Sequence, residues 1–158
     1  MLIEKKLIRY NFMKRAGNVT PRFIVVHDTG NPNPGADALA HFRYFNGGNR
    51  QASAHYFVDD VRIVETVETA NASWHCGDGH GRYGITNSNS IGVEICINRD
   101  GNYEAALENA RKIIRYLMGL YNIPLERVVR HYDASRKICP RSMSENNWKK
   151  WWAFRASL

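Results

Sequence analysis

The sequence Phe23-Ile24-Val25-Val26-His27 sets the architecture of this chain. It is a short apolar run rich in β-branched residues, it follows Pro21, and it ends on a histidine. Such a run is typical of a strand that is buried on both faces, in a sheet with helices on either side. We therefore predict a buried strand over 23–27 that delivers His27 to one end of the sheet.

Predicted helices and strands alternate along the rest of the chain. In order they are a helix that opens at Asn33-Pro34 and closes at Gly47-Gly48, a hairpin over 54–58 and 61–67, a strand over 90–97, a helix over 103–121, a strand over 128–131 and a helix over 145–156. The glycine-rich residues 77–90 predict a long loop, which we expect to form one wall of a cleft. This order predicts an α/β fold, a single domain with a central mixed β-sheet flanked by α-helices.

Length and composition fit one domain over residues 1–158. Of the 158 residues, 44% are hydrophobic and 23% are charged, which is ordinary for a globular chain with its own core. The opening residues 1–6 meet a charge before any apolar stretch of signal-peptide length, and nowhere do about eighteen apolar residues run together. We therefore expect no signal peptide and no stable membrane insertion, so another agent must deliver the chain to any substrate outside the cytoplasm.

The net charge of +7 is concentrated in the last third of the chain. Residues 111–158 carry eleven Lys and Arg against three Asp and Glu. A basic surface favours polyanions such as nucleic acid, an anionic membrane or a cell wall rich in teichoic acid, and the alternative is a solvated surface that aids solubility. Because no nucleic-acid-binding motif accompanies the charge, we expect no nucleic-acid partner.

Three cysteines are an odd number, which excludes a complete disulfide framework. At least one thiol must therefore be free or bound to a metal, and Cys139 is our candidate for metal binding. Cys76 and Cys96 are expected to remain thiols in a reducing cytosol, with a disulfide between them as the alternative.

His27, His131 and Cys139 together predict a zinc site. Two imidazoles and a thiolate leave a tetrahedral zinc ion one open position for water, which is typical of a hydrolytic centre. The three residues come from separate segments, so the fold must assemble the site. Taken singly, each residue could instead be a buried histidine with its hydrogen bonds satisfied, or a small buried thiol.

Five stretches of the chain occur in the order of a known family. They are Val25-Val26-His27-Asp28-Thr29, Ser53-Ala54-His55-Tyr56-Phe57-Val58-Asp59, Ser73-Trp74-His75-Cys76-Gly77-Asp78-Gly79, Ser90-Ile91-Gly92-Val93-Glu94-Ile95-Cys96, and His131-Tyr132-Asp133 followed by Lys137-Ile138-Cys139-Pro140. The chain thereby resembles the type 2 family of zinc N-acetylmuramoyl-L-alanine amidases, whose relatives include phage and prophage endolysins and peptidoglycan recognition proteins. The resemblance implies the same α/β fold and Zn²⁺ held by His27, His131 and Cys139.

Two catalytic residues are predicted beside the metal. Glu94 is the one acid in an apolar strand, where a carboxylate is costly unless it faces a polar cleft or a cation, and the resemblance implies a role near zinc. The alternative is a glutamate on the exposed face of an edge strand. Lys137 would point to the same side as Cys139 if their segment is extended, and the resemblance implies transition-state stabilisation. The alternative is an ordinary solvent-exposed lysine.

Other residues match cleft positions of the family. The resemblance implies substrate contacts for Tyr56, His55, Trp74 and His75, although Tyr56 also fits a packed strand aromatic. We expect His27 and His131 each to use one ring nitrogen for the metal and the other to donate to a backbone carbonyl or a carboxylate such as Asp133.

These observations predict an N-acetylmuramoyl-L-alanine amidase catalytic domain over residues 1–158. Its substrate would be the muropeptide of peptidoglycan, with anionic wall polymers as a further partner, and it would act as a monomer on the cell wall after release from the host cytoplasm, through a holin if phage-encoded. The alternatives are a recognition domain that binds peptidoglycan without cutting it, and a zinc peptidase that cuts within the stem peptide. Recognition relatives typically lose the cysteine ligand, which this chain retains at Cys139.

Overall fold

The structure is a computed structural model that describes residues 1–17 and 19–158. The strands are β1 (Glu4–Lys5), β2 (Phe12–Lys14), β3 (Phe23–Asp28), β4 (Tyr56–Val58), β5 (Ile63–Glu65), β6 (Asn71–Ser73), β7 (Ser90–Ile95) and β8 (Val128–Arg130). The helices are α1 (Ala38–Phe45), α2 (Tyr103–Tyr121), α3 (His131–Ser135) and α4 (Glu145–Ala156).

The strands of the described residues form a six-stranded mixed sheet in the order β1-β5-β4-β7-β3-β8. Strands β4, β7, β3 and β8 are parallel to one another, β5 is antiparallel to β4, and β1 is parallel to β5. A separate antiparallel pair joins β2 to β6. The predicted central mixed sheet flanked by helices is confirmed, and the apolar run at 23–28 pairs on both of its edges.

Strand register sorts the side chains onto the two faces of the sheet. Val26 is level with Val93, and Tyr56 is level with Val93, so these three side chains share a face. That face is apolar, and α2 packs on it through Leu107, which is fully buried, while α4 adds Trp151. Because the apolar face of α2 repeats with helical spacing, it forms a continuous cover over this side of the sheet.

The opposite face is covered only in part. Phe57 packs there with Ala38 of α1, and Val25 packs with Ala134 of α3. His27 is level with Glu94 on this same face, at the carboxyl ends of β3 and β7, and neither residue belongs to these apolar clusters. The gap in apolar cover leaves room for polar chemistry at one end of the sheet.

The two ends of α2 agree with the sequence prediction, whereas the start of α1 does not. The predicted helix over 103–121 is confirmed, because the Asn102 side chain accepts from the Ala105 backbone N–H and Asn122 ends the helix in the left-handed region. The predicted start of the first helix at Asn33-Pro34 is wrong. Helix α1 begins at Ala38, since the Asp37 carboxylate accepts from the Ala40 N–H at 2.7 Å and acts as the N-cap.

Other boundaries also differ from the sequence predictions. The strand predicted over 128–131 ends at Arg130, and His131 is the first residue of α3. Helix α4 has the predicted bounds, but residues 146–148 have positive φ, so its regular turns begin after Trp148. Strands β1, β2 and β6 were not predicted and are only two or three residues long.

All three cysteines are buried free thiols, as expected for Cys76 and Cys96. Cys76 packs in the apolar cluster with Val25, whereas Cys96 packs with Phe57, so the two thiols belong to different clusters. Within the ranges that the structure describes, no helix combines the length and apolar character needed to cross a bilayer.

Asp59 connects the β4–β5 hairpin to the start of α1. Its carboxylate is 1% exposed and accepts from the backbone N–H groups of Val61 at 2.8 Å, Arg62 at 2.5 Å and Ala38 at 3.0 Å. The folded state loses stability when a buried backbone N–H is left without a hydrogen-bond acceptor. The predicted turn at Asp59-Asp60 is therefore confirmed, with Asp59 as its hydrogen-bonding centre.

Asp59→Ala should lower the free energy of unfolding by roughly 2–4 kcal/mol, because three backbone N–H groups, that of Ala38 buried and those of Val61 and Arg62 part-buried, would lose a charged acceptor. The measurement is urea denaturation followed by circular dichroism. Asp60→Ala is the matched control, since Asp60 is partly exposed and accepts one backbone bond, from Asn102 at 2.9 Å. Equal losses for the two variants would contradict the role assigned to Asp59.

Candidate metal centre and cleft

The three residues predicted to bind metal meet at one point in the fold. His27 lies in β3, His131 opens α3 directly after β8, and Cys139 follows α3. One ligand atom from each lies within 4.8 Å of the other two, and the side chains are buried, with 1%, 4% and 6% of the residue surface exposed. Pairing of β3 with β8 brings the first two together, although they are far apart in the chain.

Backbone hydrogen bonds hold the segment that carries Cys139. The Tyr132 N–H donates to the Cys139 carbonyl at 3.1 Å, and the Ser142 N–H donates to the Asp28 carboxylate at 2.7 Å. These contacts attach the segment to α3 on one side and to the end of β3 on the other. The thiol is therefore presented to His27 from a fixed backbone.

The two ring nitrogens of His27 face different polar neighbours. Its Nε2 lies 3.0 Å from His75 Nδ1, while its Nδ1 lies 3.7 Å from Cys139 Sγ and 3.9 Å from Glu94 Oε1. The Nδ1 side thus faces the other candidate ligand and the predicted catalytic carboxylate. Nδ1 is the atom that His27 can offer to a metal.

His131 is oriented in a similar way by a carboxylate. Its Nε2 lies 2.7 Å from Asp78 Oδ1. Its Nδ1 is buried, and nothing in residues 1–17 or 19–158 forms a hydrogen bond with it. The expectation that Asp133 supports a ligand is wrong, because Asp133 instead accepts from the backbone and guanidinium of Arg130.

Burial sets the ionisation of the three candidate ligands. Burial first, and then His75 and His131, lower the pKa of His27 well below its ordinary value. Burial also lowers the pKa of His131, an effect that the bond with Asp78 opposes. Burial, followed by the nearby Glu94, raises the pKa of the Cys139 thiol. Without metal, the centre therefore holds two neutral imidazoles and a thiol.

This donor set fits a transition-metal ion. Neutral imidazole nitrogens and a thiolate sulfur are ligands of zinc, and a buried nitrogen without a partner, such as His131 Nδ1, is costly unless something binds it. Glu94 Oε2 is likewise buried without a partner in the described residues. The residues present therefore fit a bound metal with the carboxylate at its side.

Glu94 and Lys137 both lie beside this centre. The Glu94 side chain is 19% exposed, and burial, followed by the nearby Asp28, raises its pKa to about 8 against the opposing effect of Lys137. Lys137 is exposed. The segment from Lys137 to Cys139 is not extended, since the Cys139 N–H donates to the Lys137 carbonyl at 2.8 Å in a tight turn.

Two open grooves meet at Lys137. The larger, about 550 Å³, is lined by Asp28, Thr29, Gly30, Pro32, Ile97, Lys137, Ile138, Cys139, Arg141 and Ser142. The smaller, about 390 Å³, is lined by Gln51, Ala52, Trp74, His75, Gly77, Asp78, Asn87, His131 and Lys137. Each groove includes a candidate metal ligand, and the glycine-rich loop forms part of the smaller one, as predicted.

Two of the four predicted substrate contacts lie outside the two grooves. Tyr56 points to the face covered by α2 and is 4% exposed, so its ring packs in the core. His55 is fully buried, and its Nδ1 is 3.0 Å from the Gly92 N–H that donates to it. Neither side chain reaches the grooves, because strand register turns Tyr56 away and backbone covers His55.

Trp74 and His75 do line the smaller groove, although His75 is mostly buried. The ring of His75 packs directly on Gly92, where an added Cβ would lie 2.6 Å from the ring. Asp78 and Ser90, which bond to His131 and His75, were not identified by sequence reasoning. The available signal was their position inside the matched stretches, which does not specify a contact.

Comparison with known proteins places the chain in a family. The sequence profile of the N-acetylmuramoyl-L-alanine amidase family matches residues 17–142. The chain is 41% identical over 145 residues to the N-acetylmuramoyl-L-alanine amidase CwlH of Bacillus subtilis, covering 91% of this chain and 57% of CwlH. It is 41% identical over 140 residues to the amidase XlyA of the same organism, covering 89% of this chain and 45% of XlyA.

Solved structures agree with the sequence match. The catalytic domain of XlyA superposes with a TM-score of 0.86 at 38% identity, covering 99% of this chain and 98% of that domain. A mutant endolysin from Bacillus subtilis superposes with a TM-score of 0.85 at 39% identity, covering 98% and 97%. The chain spans about half the length of the curated relatives it matches. From the matched residues and the shared fold, we conclude that the chain belongs to the N-acetylmuramoyl-L-alanine amidase family.

Proposed function

We propose that this chain is a zinc-dependent N-acetylmuramoyl-L-alanine amidase, which hydrolyses the amide bond between N-acetylmuramic acid and L-alanine in peptidoglycan. The observation that carries the proposal is the convergence of His27, His131 and Cys139 within 4.8 Å in a chain of this family. The assignment of all 158 residues to one catalytic domain is part of the proposal.

We propose that His27 Nδ1, His131 Nδ1 and Cys139 Sγ hold the ion. A zinc ion in this place supplies a Lewis acid that polarises a carbonyl and acidifies a water molecule. The protein residues determine its position, because Asp78 and His75 orient the two imidazoles from behind. With three protein ligands, a zinc ion there would retain a position for water or substrate.

Glu94 is proposed as the general base and then the general acid. An amide is hydrolysed only if water loses a proton and the leaving nitrogen gains one, and a single carboxylate can carry out both transfers. Glu94 lies 3.9 Å from His27 Nδ1, and its raised pKa keeps proton exchange accessible near neutral pH. Its Oε2 is buried without a hydrogen-bond partner among the described residues, which leaves it able to accept a proton.

Lys137 is proposed to stabilise the developing oxyanion. It lines both grooves at their junction, close to two of the candidate ligands, and its ammonium is exposed to the cleft. A fixed positive charge near a carbonyl oxygen stabilises a transition state in which negative charge accumulates there. The scissile bond would therefore lie at the junction, with one arm of the substrate in each groove.

The two grooves fit a branched substrate. A muropeptide has a sugar arm and a peptide arm on either side of the scissile amide, and Lys137 lines both grooves. Trp74 lies in the smaller groove and offers an aromatic side chain for stacking. We propose Trp74 as a substrate contact and His75 chiefly as support for His27.

The remaining proposals concern the setting in which the enzyme acts. The exposed basic residues of the last third, such as Lys112, Arg115, Lys149 and Lys150, suit an anionic wall polymer as a further partner. We propose a monomer that binds neither nucleic acid nor the membrane interior. As an endolysin it would reach the wall after release from the cytoplasm, through a holin if a bacteriophage encodes it.

Digestion of purified peptidoglycan tests the activity. We expect new L-alanine amino termini, identified by mass spectrometry and amino-terminal labelling, without new reducing sugar ends. Amino termini inside the stem peptide would instead show a peptidase. Binding to walls without any new end would show a recognition domain, and either result would overturn the proposed reaction.

Glu94→Gln should lower the rate of wall hydrolysis by roughly 10²- to 10⁴-fold while zinc stays bound, because an amide cannot exchange the proton. Turbidity loss of wall suspensions gives the rate, and metal analysis gives the zinc content. Glu65→Gln is the matched control, since Glu65 is a half-buried strand carboxylate of β5 whose pKa is also raised by burial. Comparable activity of the two variants would argue against general acid–base catalysis by Glu94.

Zinc affinity of the metal-free protein should rise by about tenfold per pH unit between roughly pH 6 and pH 8. Burial raises the pKa of the Cys139 thiol, so the thiol is protonated there, and binding must displace that proton. Competition with a fluorescent chelator at several pH values measures this slope. Cys139→Ala should abolish tight binding, whereas Cys96→Ala, which removes another buried thiol, should retain it. An affinity independent of pH, or retained in Cys139→Ala, would exclude Cys139 as a ligand.

A further inference from the structure

A buried chain of hydrogen bonds extends from the back of His27 to the protein backbone. The Ser90 hydroxyl donates to the Thr86 carbonyl, and Ser90 Oγ lies 3.0 Å from His75 Nε2. His75 Nδ1 lies in turn 3.0 Å from His27 Nε2. His27, His75 and Ser90 are 1%, 9% and 0% exposed, so water has little access to the chain.

The direction of each hydrogen bond follows from its terminal acceptor. A backbone carbonyl cannot donate, so the single hydroxyl proton of Ser90 must point to Thr86. Ser90 Oγ can then only accept from His75, which places a proton on His75 Nε2. Cys76 Sγ is 3.9 Å from the same nitrogen and is a much weaker partner.

The position of the proton on His75 also determines which residue donates in the hydrogen bond between His75 and His27. His75 is 9% exposed, and its two ring nitrogens lie against the uncharged partners His27 and Ser90, so a charged ring would be costly and the neutral form is favoured. A neutral imidazole with a proton on Nε2 has a bare Nδ1, which accepts. His27 must therefore donate from Nε2, and its own Nδ1 is left without a proton.

We propose that Ser90 and His75 are positioning residues that hold His27 in the tautomer whose Nδ1 lone pair faces Cys139 and Glu94. Gly92 is required for this arrangement, because the absence of a side chain lets the His75 ring pack against the backbone of β7. The Arg15 guanidinium holds the segment that contains Ser90, because it donates to the carbonyls of Ser88 at 2.6 Å and Ser90 at 2.9 Å.

Loss of the Ser90 hydroxyl removes the constraint. With only the weak acceptor Cys76 Sγ left beside Nε2, His75 is better satisfied by moving its proton to Nδ1, where it can donate to His27. His27 Nε2 would then accept and Nδ1 would carry the proton, in direct competition with a metal. Changes to hydrogen-bond partners of metal-binding histidines typically reduce metal affinity by about 10- to 100-fold.

The inference rests on the proposed function only in naming zinc as the ligand, since the tautomer can be read in the metal-free protein. Long-range ¹H–¹⁵N spectra of metal-free protein labelled at histidine distinguish protonated from bare ring nitrogens. We expect His27 and His75 both to be protonated at Nε2 and bare at Nδ1. A proton on His27 Nδ1 in the unsubstituted protein would overturn the proposal, whether or not the enzyme hydrolyses peptidoglycan.

Ser90→Ala tests whether the hydrogen bonds from Ser90 through His75 determine the tautomer of His27. We expect the His27 proton to move to Nδ1 and zinc affinity to fall about 10- to 100-fold. Ser73→Ala is the matched control, because Ser73 is also fully buried and bonds to a buried histidine, His55, at 2.7 Å, outside the chain of bonds to His27. Ser73→Ala should keep the tautomer and the affinity. Equal affinities of the two variants would overturn the proposal, and if Ser90→Ala does not fold, the spectra of the unsubstituted protein still decide it.

Discussion

Parallel pairing of β3 with β7 on one side and β8 on the other is the constraint on which the site depends. Parallel strands end at a common edge, so the pairing brings His27 level with Glu94 and delivers His131 to the same edge as the first residue after β8. A shift of β3 by one residue would turn His27 to the opposite face. The apolar run at 23–26 resists such a shift because both of its faces are buried.

The two faces of the sheet have different roles. One face forms the main hydrophobic core, and the other carries the polar candidate site. One face is covered continuously by α2 and α4, and its aliphatic side chains and Trp151 exclude water. The other face is covered by separate clusters, and the polar edge outside them is organised by buried hydrogen bonds. Asp28 holds the segment after Cys139, and Arg15 holds the loop that contains Ser90. Such bonds contribute modestly to stability one by one, but they leave few alternatives for the backbone around the site.

The same burial that stabilises the site also sets its chemistry. It keeps both imidazoles neutral and the Cys139 thiol protonated, and it raises the pKa of Glu94. A bound cation would favour the ionised forms of Cys139 and Glu94, and the exposed Lys137 lines both grooves. In the proposed reaction, this arrangement would couple metal binding to proton release.

Sequence alone predicted the architecture and the composition of the site. Apolar runs, glycine turns and the Asn102 cap indicated β3 and α2, and the residue types of His27, His131 and Cys139 indicated a candidate metal centre. These features are local, since strand burial, helix capping and ligand chemistry are properties of short segments. Such local predictions agree with the fold for β3 and α2, whereas the start predicted at Asn33-Pro34 does not, because the Asp37 side chain caps α1.

The tertiary structure decided which side chains reach the cleft and which atoms they present. Tyr56 and His55 lie in a matched stretch, yet register turns one into the core and backbone covers the other. Asp78, rather than Asp133, meets His131, because the glycine-rich loop packs against α3 and only packing brings such distant residues together. The bonds that orient His27 likewise depend on close contacts among β3, β7 and the segment after β6. Contacts between segments distant in the chain have no local signature, and so the sequence could not reveal them.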